Sequence, residues 1–87
     1  MKTIKYNIEI APLADYFVIA AKDKETSELV ETFTLNESGT DMLKLFCQGK
    51  DLMAVAKEIA EIYEAPFDQV YKDVNAFAQR INRKGLL

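Results

Sequence analysis

The chain has 87 residues, 49% of them hydrophobic and 29% charged, with a formal charge of −3. That is enough for one small domain, residues 1–87, whose thin core buries about 60–65% of the surface the unfolded chain exposes. The acidic balance argues against a nucleic-acid surface, the absence of histidine removes the commonest general base and metal ligand, and a single cysteine, Cys47, excludes an internal disulfide.

The first third reads as strands. Tyr6 to Ile10 alternates weakly and suits a short strand, while residues 11–15 carry Pro12, which limits ladder pairing and places a bend there. Tyr16 to Ala21 is continuously apolar and rich in β-formers, the pattern of a strand covered on both faces. Lys22 to Ser27 is polar and charged, as a solvated hairpin loop requires. Glu28 to Leu35 then alternates, with Leu29, Glu31, Phe33 and Leu35 on one face and Val30, Thr32 and Thr34 on the other. A glutamate within the apolar face marks this third strand as an edge.

Three helices follow, each with its own punctuation. Asn36 is a good N-cap, Glu37 suits the positive first turn, and Gly49 can take the left-handed conformation that ends the helix. Met42, Leu43 and Phe46 form its apolar face, and Cys47 reads as a small buried hydrophobe beside them. Asp51 caps the second helix, where Leu52, Val55, Ala56, Ile59, Ile62 and Tyr63 follow helical spacing. Glu64-Ala65-Pro66 makes a short break, and Pro66 fits at the threshold of a new helix. The third helix runs from about Phe67 to Lys84 with Phe67, Val70, Val74, Phe77 and Ile81 on one stripe, and Gly85 terminates it. Arg80, Arg83 and Lys84 gather at its negative C-terminal end, where they most simply satisfy the helix dipole, with an acidic partner surface as the alternative. Two helices joined by a short break, backed by strands, give an α+β, winged helix-turn-helix-like domain: about three N-terminal strands packed on three C-terminal helices.

Other segments are more quickly placed. Lys2 and Lys5 ahead of apolar residues mimic an export signal, but Glu9, Pro12 and Asp15 interrupt the apolar region, so export is rejected. No apolar run approaches the roughly 20 residues of a membrane helix. With one thiol and no signal, a cytoplasmic location is expected.

In order and spacing, several of these pieces resemble the PqqD family, named after pyrroloquinoline quinone biosynthesis protein D. They are Leu35-Asn36-Glu37-Ser38-Gly39, a helix ending at Gly49, the run Val55-Ala56-Lys57-Glu58-Ile59-Ala60-Glu61-Ile62-Tyr63, then Asp73-Val74 with Phe77, and Gly85-Leu86-Leu87. The resemblance covers about Tyr16 to Leu87, and residues 1–15 match nothing in it. The family fold is also called the RiPP recognition element, after ribosomally synthesised and post-translationally modified peptides. What the resemblance implies is a binding module with no catalytic residue, metal or cofactor of its own. Such a module binds the leader of a precursor peptide and presents it to a modifying enzyme, a radical S-adenosylmethionine protein in the pyrroloquinoline quinone case. The peptide lies as an added strand between the third strand and the third helix.

On this sequence that groove is expected to use Leu29, Val30, Glu31, Thr32, Phe33 and Thr34, a proline-free strand whose edge can accept a visiting backbone. Tyr71, Asn75, Ala78 and Asn82 line up at helical spacing beside the core stripe and are expected to form the opposing wall. Asp73 reads first as a solvated carboxylate, with a partner arginine as the alternative. An open edge also permits self-pairing, so both monomer and dimer are compatible with it.

Three other readings compete. Winged-helix DNA binding would lead with Phe67, Asp68, Gln69 and Asp73, two of which repel phosphate, and Asp51 to Lys84 holds five basic against six acidic residues. A free-standing enzyme lacks histidine, a metal cluster and a glycine-rich phosphate loop. A generic protein-interaction domain would keep the fold with a different partner.

Overall fold

The computed structural model describes residues 6–86, so Lys2, Lys5 and Leu87 lie outside the described residues. Three strands come first: β1 (Asn7–Leu13), β2 (Tyr16–Lys22) and β3 (Leu29–Leu35). Three helices follow, α1 (Glu37–Cys47), α2 (Leu52–Ile62) and α3 (Phe67–Arg83). The strands form one antiparallel sheet in the order β1-β2-β3, and the α+β arrangement of strands followed by helices is the expected one.

β1 departs from expectation. It runs through Pro12 to Leu13, with Pro12 opposite Phe17, and the reversal is confined to Ala14 and Asp15. The physical reason is position: β1 is an edge strand, where a residue without an N–H can be tolerated. Ala14 supplies the sharp reversal at φ 56°, in the left-handed region that favours glycine. The second hairpin is closed by Asp23, whose carboxylate accepts the backbone N–H groups of Glu25 at 2.8 Å and Thr26 at 3.0 Å. Those two donors hold the Asp23 carboxyl below its ordinary pKa.

Cross-strand pairing sorts the sheet into two faces. Ile10, Ile19 and Phe33 share one row, and Ile8, Ala21 and Glu31 the next. On this face Ile19 and Ala21 are fully buried, and α1 packs against β2 and β3. Val18 and Ala20 on the opposite face are only half-buried, so β2 is covered by helices on one side and not on both as its continuous apolar run suggested. A register shift at Ala21/Lys22 places Leu29 opposite Lys22. It removes Leu29 from the row of Glu31, Phe33 and Leu35, and Leu29 is 58% exposed.

The helix caps form as the sequence implies. The Asn36 side chain accepts the Gly39 N–H at 2.9 Å, and Asp51 accepts that of Ala54 at 2.9 Å. α2 ends where Glu64 takes φ 51°, and α3 starts after Pro66 without a side-chain cap. Leu43, Val55, Val74, Ile81 and Leu86 are buried together, and the rings of Phe46 and Phe77 stack at 6.3 Å. Four residues expected at or near the core sit outside it: Ile62, Tyr63 and Phe67 remain exposed, and so does Cys47. Each lies in the first or last turn of a helix or just beyond it, where the chain leaves the packed layer. Among the described residues no helix is long and apolar enough to cross a membrane.

Candidate functional site

β3 has a neighbour on one side only. It pairs with β2, and among the described residues no strand pairs with its other edge. Residues 29–35 contain no proline, so every position keeps a backbone donor and an acceptor. In an antiparallel ladder alternate residues aim these groups at the partner strand, which leaves the intervening ones along the open edge unpaired. Seven residues at about 3.3 Å each give that edge a length of roughly 23 Å.

Beside the edge lies a cleft of about 380 Å³. Thr34 and Leu35 of β3 form one side, and Asn36, Ser38, Gly39 and Met42 of the α1 start close the end. Asp73, Ala76, Phe77 and Arg80 of α3 form the opposite wall. A second contact fixes the same side of α3: the Lys84 ammonium lies 4.7 Å from the centroid of the Phe33 ring. At about 100° per residue, Asp73, Ala76, Arg80 and Lys84 fall on one flank of the buried stripe Val70, Val74, Phe77 and Ile81.

The structure thus separates the two halves of the groove expected from the sequence. Leu29, Val30, Glu31, Thr32, Phe33 and Thr34 do form the edge strand; Glu31 and Phe33 are half-buried toward the helices, and the other four are exposed. Tyr71, Asn75, Ala78 and Asn82 fall on the other flank of the α3 stripe, away from β3. Tyr71 packs its ring 5.8 Å from that of Phe67 and lines a separate hollow of about 470 Å³ with Met53, Phe67, Asp68 and Lys72. Ala78 packs against the core and Asn75 is half-buried. Of the cleft's α3 residues, Ala76 carried no binding expectation from the sequence, Phe77 was expected only as core, and Asp73 and Arg80 had a partner's charge only as the alternative to a solvated or helix-end role. A small residue between an acid and a base at one-turn spacing was the available signal.

The charged groups of the cleft, Asp73 and Arg80, are solvent-exposed. Ion pairs among the described residues join Lys22 to Glu9 and Lys50 to Glu58, and Asp73 and Arg80 take part in neither. Its floor is apolar: Leu35, Met42 and Phe77 are each less than a tenth exposed. The thiol of Cys47, at the end of α1, is not activated, because partial desolvation raises its pKa. Among the described residues no three potential ligands gather as a metal site. The exposed leading turns of α3 carry Asp68 and Asp73 against the one cation Lys72.

Residues 23–87 match the family model for coenzyme PQQ synthesis protein D (PqqD). The chain belongs to the PqqD family. The matched segment holds β3 and all three helices, hence every residue of the cleft, whereas β1 and β2 precede it. The resemblance seen from the sequence began earlier, at Tyr16. A solved structure of TbiB1 in complex with the TbiA(beta) leader peptide shares the fold of this PqqD-family chain, with a TM-score of 0.73 and 22% identity. That likeness covers 99% of this chain and 94% of the other, so the β1-β2 hairpin belongs to the shared fold. No curated protein matches the chain.

Proposed function

We propose that this PqqD-family protein binds the leader of a ribosomally made precursor peptide as an antiparallel strand on β3 and presents it to a modifying enzyme. The observation that carries the reading is the unpaired edge of Leu29–Leu35, whose Thr34–Leu35 end borders a cleft with an apolar floor and an α3 wall. Family membership and the fold shared with a leader-bound TbiB1 support it. The peptide contacts are Leu29 to Thr34 along the strand, with Asp73, Ala76, Phe77 and Arg80 in place of the row Tyr71, Asn75, Ala78 and Asn82.

The energetics suit a carrier. Each added backbone hydrogen bond contributes a net of about 1 kcal/mol, and one side chain filling the cleft adds roughly 2 kcal/mol. Ordering a disordered peptide offsets about 2–5 kcal/mol of this. The result is reversible capture, which raises the local concentration of the peptide core at the enzyme. The protein performs no chemistry itself; the enzyme does, in the cytoplasm, and the family's namesake pathway makes a radical S-adenosylmethionine protein its expected type.

Amide hydrogen exchange tests this directly. Synthetic leaders from short reading frames adjacent to the gene are added to the intact protein. Alternate amides of residues 29–35 that exchange fast in the free protein should become protected. Binding that leaves those amides fast, or no binding by any adjacent leader, would sink the proposal.

A further inference from the structure

The two ends of the cleft are chemically unlike. At one end the first turn of α1 is wedged against β3. A Cβ on Gly39 would stand 3.1 Å from Asn36 Oδ1, tight enough that the capping side chain would have to give by a few tenths of an ångström, and in ordinary contact with Leu35 Cδ2 at 3.4 Å. The floor next to it is Leu35, Met42 and Phe77. Toward the other end stand two cations, Arg80 in the cleft wall and Lys84 over Phe33. Arg80 has no ion pair among the described residues. Carboxylates bracket this pair: Asp73 lies two helical turns before Arg80, about 10 Å along α3, and Glu31 lies two residues from Phe33 on the same face of β3.

From this order we infer that the cleft selects a peptide carrying an apolar side chain followed, two residues toward its C-terminus, by a carboxylate. The inference rests on the strand-addition reading and adds the chemistry of the ligand. Lys84 sits at Phe33, whereas Asp73 to Arg80 flank Thr34 and Leu35, so the C-terminal end of α3 lies toward the middle of β3. A strand antiparallel to β3 passes Leu35 first and Phe33 afterwards. Its residues i and i+2 point the same way and are about 6.8 Å apart. That spacing falls between the rises along α3 from the floor at Phe77 to Arg80 and to Lys84, about 4.5 and 10.5 Å. An apolar residue over the floor therefore sets its second neighbour against Arg80 and Lys84. Asp73 and Glu31 repel a second acid on either side, which restricts the preference to one position.

The test is a selection of short random peptides, displayed on their encoding RNA, against the intact protein and against Arg80→Glu and Arg80→Gln, with circular dichroism confirming that both variants fold. Peptides recovered on the unaltered protein should carry apolar-x-acidic. Replacing that acid by lysine should weaken binding about fivefold to tenfold, and Arg80→Glu should reverse the preference while Arg80→Gln erases it. Recovered peptides that protect β3 from hydrogen exchange but show no charge preference, or the same preference on Arg80→Glu, overturn the inference and leave strand addition standing. A selection that recovers no peptide protecting β3 overturns the strand-addition reading and this inference with it.

Discussion

Lys84, the residue that closes α3, holds its ammonium 4.7 Å from the centroid of the Phe33 ring in the middle of β3. The contact joins the end of the last helix to the edge strand and marks the side of α3 that faces it. Lys84→Met keeps the aliphatic stem and removes the cation. It should lower stability by about 0.5–1 kcal/mol, read as a shifted midpoint in urea unfolding with an unchanged slope.

The α3 wall of the cleft makes two substitutions diverge. Ala76→Trp places a large ring where the peptide side chain is to sit and should reduce leader affinity by about tenfold or more, the equivalent of roughly 1.4 kcal/mol. Tyr71→Ala alters the separate hollow beside Phe67 and should leave affinity within about twofold, a margin below 0.5 kcal/mol. Calorimetry on both variants decides between the two flanks of the helix. Loss of binding in Tyr71→Ala alone would return the groove to the other side.

Tyr63, just past α2, donates its hydroxyl to the Asp41 carboxylate of α1 at 2.5 Å. That hydrogen bond, with partial desolvation and the nearby negative charge, pushes the Tyr63 pKa up to about 12 from 10.0. Because the folded state holds this proton more tightly, the stabilisation is complete below pH 10 and is lost as the pH rises through about 12. Tyr63→Phe should cost up to about 1 kcal/mol at neutral pH, reduced by the partial exposure of the pair. It should also unfold less steeply between pH 10 and 12 than the parent. Alkaline unfolding followed by circular dichroism measures both.

Ala14 turns the β1-β2 hairpin at φ 56°. A left-handed alanine costs about 1–2 kcal/mol, and glycine relieves that cost while losing about 0.4–1 kcal/mol through the freer unfolded chain. Ala14→Gly should therefore stabilise the domain by about 0.5 kcal/mol, visible as a small rise in melting temperature with leader binding unaffected.

What the amino-acid sequence determined by itself was everything set by short-range periodicity and local hydrogen bonding. Asn36 and Asp51 cap their helices, Gly49 and Gly85 adopt positive φ after α1 and α3, and Val70, Val74, Phe77 and Ile81 are buried on one stripe. These follow from residues no more than about a helical turn apart, and so did the reading of β3 as an edge strand. The tertiary structure decided what depends on elements distant in the chain. Pro12 stays in a strand because β1 has only one neighbour, and the shifted register opposite Lys22 turns Leu29 outward. The rows Asp73-Ala76-Arg80 and Tyr71-Asn75-Ala78-Asn82 flank one apolar stripe with equal periodicity. Their spacing alone does not distinguish them. Only the direction in which α3 crosses toward β3, fixed by packing across the whole domain, makes the first of them the wall of the cleft.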